Sequence, residues 1–156
     1  MITRISSAVT WGIQAFPIDV EVDMVLGISQ LTIVGLPDQA VRESKDRVRS
    51  AIQNSGYEFP MKKVTVNLAP ADLKKEGPLF DLPIALGVLA AEGFVNPAIL
   101  KNYLAVGELG LDGKLRPVSG IIQAALLAQA KDKILLFPDA SLPEVSLIDQ
   151  GQKKDA

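Results

Sequence analysis

From Ile84 to Ala91 every residue is apolar or glycine, and Asp81 with Pro83 stands just before the run. A helix over this stretch is apolar on every side, so it needs cover on all of them and has to lie at the centre of the fold. Asp81 suits its N-cap, with Pro83 tolerated in the first turn. A chain of 156 residues supplies enough core for one such domain. Hydrophobic residues make up 48% and charged residues 22%, a globular balance.

Strand patterns surround this helix. Ile18, Val20, Val22 and Met24 alternate with Asp19, Glu21 and Asp23, a period of two with one face buried and one wet. The three carboxylates sit ~7 Å apart along that face, too far for neighbours to share one small cation, so they read as a solvated strand face with no metal. Leu31 to Val34 is a short strand closed by Gly35-Leu36-Pro37. Asp38 then caps a helix that runs to Gly56 with Val41, Val48, Ala51 and Ile52 on one side. Its polar side allows pairs at i,i+4 between Arg42 and Asp46 and between Glu43 and Arg47. Val64, Val66 and Leu68 form the next strand. Asp112-Gly113 predicts a hairpin between Tyr103–Leu111 and Lys114–Pro117. Ser119 caps a helix to about Ala130, Ile134 to Phe137 is a last strand, and Ser141 with Glu144 has capping-box spacing. The order is three strands, helix, strand, buried helix, hairpin, helix, strand: one α/β (α+β) domain over residues 1–149, with 150–156 a polar tail.

Composition removes several chemistries. The chain has no cysteine and no histidine, so disulfides, thiol catalysis, a Ser-His-Asp triad and His or Cys zinc ligation are excluded. Catalysis would fall to carboxylates, lysine or serine. The N-terminus lacks the layout of a signal peptide and no apolar run approaches the ~20 residues of a membrane span, which points to a cytoplasmic location without membrane partners. A net charge of −2 advertises no polyanion partner globally. Arg42, Lys45 and Arg49 nevertheless form a local basic stripe, and Lys74 and Lys75 add charge in a loop; these five are the candidate contacts for DNA or another partner. No G-x-x-x-x-G-K-[ST] run is present. The loop from Lys74 to Asp81 has one glycine and loses a donor at Pro78, a poor phosphate cradle.

The stretches Ile33–Asp38, Arg42-Glu43-Ser44, Val64–Pro78, Gly107-Glu108-Leu109, Asp112-Gly113 and Arg116-Pro117-Val118 resemble the N-terminal domain of the YifB/ComM family, AAA+ ATPases related to the magnesium chelatase ATPase subunit. The resemblance runs from about Ser7 to Pro138. It implies a ribosomal-protein-S5 domain-2-like fold, the two-layer sandwich also used by the Lon protease catalytic domain. It also implies that ATP and Mg²⁺ belong to a P-loop module of longer relatives, that such a module is the partner in cis, and that oligomers form in the full-length protein. Longer relatives are associated with DNA handling in natural transformation, including branch migration. Lon-type proteases place a serine directly after a Gly-Pro pair and a lysine early in the helix after the hairpin. Those positions hold Leu79 and, nearly, Ile122 here. A Ser–Lys dyad needs both groups within about 3 Å, and both are missing; Ser119 with Lys74 or Lys75 is the nearest substitute. The chain therefore reads as a non-catalytic accessory domain. The alternatives are a protein-interaction domain without a nucleic-acid role, or a degenerate Ser–Lys peptidase-like domain.

Overall fold

A computed structural model describes the backbone of residues 1–155 and the side chains of residues 1–148. The polar tail read for 150–156 lies outside the described side chains. Strand β1 (Ile2–Trp11) returns directly as β2 (Gln14–Val25), with Ile2 opposite Asp23 and Trp11 opposite Gln14. β2 pairs antiparallel with β4 (Lys63–Ala69), and β3 (Gln30–Val34) lies outside β4 in parallel. On the other side of β1 come β5 (Tyr103–Ala105) and β8 (Ile134–Leu136), both parallel. The sheet is therefore mixed, in the order β3-β4-β2-β1-β5-β8.

The period-two patterns set the two faces. Ile18, Val20, Val22, Met24, Val64, Val66 and Leu68 are buried together, each such side chain contributing about 1.5–3 kcal/mol on leaving water. The alternate residues of β2 and β4 face outward. Helix α3 (Asp81–Ala91) lies across β1 and β2 on the apolar face, as the unbroken apolar run requires. Gly87 lets it come close: a Cβ there would meet Val22 Cγ2 at 2.5 Å. Thr3 Oγ1 donates to Gly87 O at 2.8 Å at the same contact, satisfying a buried hydroxyl. α5 (Ile121–Ala130) packs against β1, β2 and β8, with its N-terminal Gly120 set against the side chain of Thr10.

Five local expectations change. The helix after Asp38 is interrupted at Glu43 into α1 (Gln39–Arg42) and α2 (Ser44–Asn54), although Asp38 does cap it by accepting from Val41 N–H at 2.8 Å. The residues 103–111 are not one strand. Gly107 donates to Leu79 O at 2.8 Å and accepts from Leu82 N–H at 3.1 Å, which takes its backbone to the start of α3 and splits the segment. β5 stays in the main sheet, while β6 (Glu108–Leu109) pairs with β7 (Leu115–Arg116) in a separate hairpin. Ser119 is not a cap, because Gly120 takes the capping position of α5 in the left-handed region at φ 79°. Asp81 is the first helical residue of α3 rather than its cap, and its carboxylate is engaged elsewhere. Ser141 ends the 3-10 turn Asp139–Ser141, and its buried Oγ has no hydrogen-bond partner among the described residues, so no capping box forms with Glu144. α4 (Pro97–Leu100), capped by Asn96, and α6 (Leu142–Asp155) complete the chain.

Candidate functional site

The loop that leads from β4 to α3 is closed upon itself. Lys75 is fully buried, and its ammonium donates to Pro70 O. Its backbone N–H donates to Leu36 O and its carbonyl accepts from Asp38 N–H, both at 3.0 Å. Asp38 reaches the loop again, accepting from Gly77 N–H at 3.2 Å. Burial pushes the Lys75 amine below the ordinary lysine value, against the pull of Asp72. Lys75 is thus an internal tether and not a surface cation, which corrects its place among the candidate contacts. With the Gly77 N–H engaged and Pro78 lacking one, neither residue has an N–H to offer an anion.

Leu79 follows in the 3-10 turn Pro78–Phe80 and is buried, so a hydrocarbon fills the place read as the nucleophile position. Ile122 is exposed on α5. Neither carries a polar side-chain atom. Lys75 donates to Pro70 O, and Lys74 pairs with Glu76 at 3.4 Å on the surface.

Beneath the loop lies a polar cluster that sequence reasoning missed. Asp81 is fully buried and accepts from Ser44 Oγ at 2.5 Å, from Arg47 Nε at 2.6 Å and from Leu109 N–H at 3.0 Å. A second guanidinium nitrogen of Arg47 reaches Asp81 at 3.1 Å and Ala40 O at 2.7 Å. Glu43 pairs with Arg47 at 3.5 Å, as its spacing predicts, whereas Arg42 and Asp46 form no ion pair. Burial opposes the charge on Arg47, but the hydrogen bond to Asp81 and the charges of Asp81, Glu108 and Glu43 together outweigh it and hold the guanidinium above its usual value. The cluster fastens α2, the start of α3 and β6 to one carboxylate. The signal was present: a charged residue opening an all-apolar helix is buried by that helix's own packing and must find a cation.

Three of the five candidate contacts do come together. Gln30, Leu31, Thr32 and Ile33 of β3 line a cleft with Arg42 and Lys45. The neighbouring cleft takes Ser29, Gln30 and Leu31 with Lys45, Asp46 and Arg49. Arg42, Lys45 and Arg49 form no ion pair among the described residues. Arg49 carries its guanidinium 4.6 Å above the Phe59 ring. Lys74 is exposed but lines neither cleft.

On the open sheet face, Glu21 accepts from Asn67 Nδ2 and from Arg4 Nε, each at 2.9 Å. The Asn67 hydrogen bond, with help from Arg4, lowers its pKa. No set of three or more acidic side chains among the described residues is placed to hold a metal. No helix among them is long and apolar enough to cross a membrane.

The family model described as subunit ChlI of Mg-chelatase matches residues 20–141. The protein YifB of Salmonella typhimurium is 50% identical over 137 residues, which is 88% of this chain and 27% of that protein. Competence protein ComM of Haemophilus influenzae is 46% identical over 142 residues, 91% of this chain and 28% of that one. A Lon protease of Halothermothrix orenii is 27% identical over 88% of the chain, in keeping with a Lon-like sandwich. The chain spans less than a third of the length of the relatives it matches. It belongs to the ChlI family of Mg-chelatase-related proteins, as an N-terminal domain of the YifB/ComM kind.

Proposed function

We propose that this chain is an accessory domain of a larger ATP-driven machine, doing no peptide-bond or nucleotide chemistry itself and offering the Arg42–Lys45–Arg49 strip to an anionic partner. The observation that carries the first half is Leu79: the loop has the layout of a nucleophile site, yet its critical position is a buried hydrocarbon. Nucleophilic catalysis needs an ionisable or hydroxyl-bearing atom with a base beside it. Purified protein should show no turnover of casein or ATP. Turnover that disappears on substitution within Lys74–Leu79 would overturn the reading.

DNA is the partner that the family resemblance suggests, and Arg42, Lys45 and Arg49 are where it would be met. ATP and Mg²⁺ would be bound by another module, which is also the expected source of oligomer contacts. If all three cations neutralise phosphates of a duplex, the logarithm of affinity should fall against that of salt with a slope of about −2.7. Replacing all three by glutamine should flatten it. Salt-insensitive binding, or none, would remove DNA from this strip.

A further inference from the structure

We propose that the outer edge of β3 is a docking site for an extended segment of a partner protein that carries acidic side chains at every second residue. The inference rests on reading the Arg42–Lys45–Arg49 strip as a contact for an anionic partner, and it names the partner's class.

β3 is the outermost strand, and its ladder is formed with β4 on one side only. On the other side no backbone or side-chain group among the described residues hydrogen-bonds to Gln30–Val34. Edge strands are usually protected by a charge or a proline within the strand, or by a covering element. Gln30-Leu31-Thr32-Ile33-Val34 contains neither charge nor proline. A groove runs along it instead, formed by the two clefts that share Gln30, Leu31 and Lys45. The far wall is basic.

Spacing supports a strand as the occupant. Lys45 and Arg49 are four residues apart on α2, ~6 Å along the helix axis. Side chains on one face of an extended peptide repeat every ~6.8 Å, so carboxylates at i and i+2 can each meet one cation while the intervening side chains face away. The backbone chemistry separates a peptide from DNA. An open strand edge presents both N–H and C=O groups. A peptide strand satisfies both kinds, whereas a phosphodiester backbone offers acceptors alone and leaves the carbonyls without partners. Asp46, in the same groove, also disfavours a continuous polyanion more than separated carboxylates.

The test uses the whole chain and three probes: a short fluorescent peptide alternating glutamate and threonine, the same peptide N-methylated at alternate residues, and a mixed-sequence oligonucleotide in single-stranded and duplex form. The first peptide should bind, with slowed amide exchange at Gln30–Val34. N-methylation should abolish binding, and the R42Q/K45Q/R49Q variant should weaken it by at least about tenfold. Because that variant alters only exposed or part-exposed side chains, its fold can be verified by an unchanged melting curve. Peptide binding that survives N-methylation reduces the contact to charge alone and overturns the proposal. Oligonucleotide binding without peptide binding overturns it too, but leaves the anionic-partner reading standing. Binding of neither probe removes both.

Discussion

Two faces of the same short helix carry cations to opposite ends. On the inner face of α2, Arg47 lies against Ser44 and Asp81, mostly buried and saturated with partners. On the outer face, Lys45 and Arg49 border a groove and form no ion pair among the described residues. Arg47 stands only two positions from either. At 100° per residue on a 3.6-residue turn, two steps carry a side chain to the far side of the helix, so neighbours in sequence meet different dielectric surroundings. Inside, a charge is tolerated because its partners are fixed around it. Outside, a charge costs little to leave without a partner and remains open to one from another molecule.

The sharpest way to break that contrast is to remove the anion from the inner face. Asp81→Ala leaves Arg47 and Ser44 facing a void, and should destabilise the domain by about 3–5 kcal/mol in chemical denaturation. Adding Arg47→Met to it should cost less than the sum of the two single changes, because no buried charge is then stranded. Additive costs would show that the pair is not energetically coupled.

Lys75 is the second inward cation, and it differs from Arg47 in lacking a carboxylate in contact. Its folded pKa lies below the unfolded value because burial disfavours the ammonium. Between the lowered folded value and the ordinary lysine value the unfolded chain binds more protons, so stability rises with pH there. Lys75→Met removes the titrating amine and should flatten that rise. An equal rise in both proteins would mean the slope comes from other groups.

The smallest effect on folding belongs to the outer face. Replacing Arg42, Lys45 and Arg49 together by glutamine should move stability by no more than roughly 0.5 kcal/mol at each position, while weakening the proposed binding to an anionic partner. A loss of several kcal/mol would place these side chains in the scaffold and dissolve the contrast between the faces.

How much of this was legible in the sequence depended on how local its cause is. The alternation of β2 and β4, the cap at Asp38 and the central burial of α3 were readable, since each follows from neighbours within a few residues. That position 79 is a leucine was readable directly, but its burial in the 3-10 turn was not. The single strand expected over 103–111 failed because Gly107 forms its bonds to Leu79 and Leu82, which are distant in sequence. Asp81 was read as a cap for the same reason: nothing local shows that Ser44, Arg47 and Leu109 converge upon it.

Lys75 and Lys45 make the division plain. By itself the sequence determined their charge, the periodicity of the elements around them and the lack of histidine or cysteine chemistry near either. Only the tertiary structure decided that Lys75 tethers a loop from inside while Lys45 lines an open strand edge. Charge and period are properties of residues and their neighbours. Burial and the free edge of β3 arise from contacts between segments far apart along the chain.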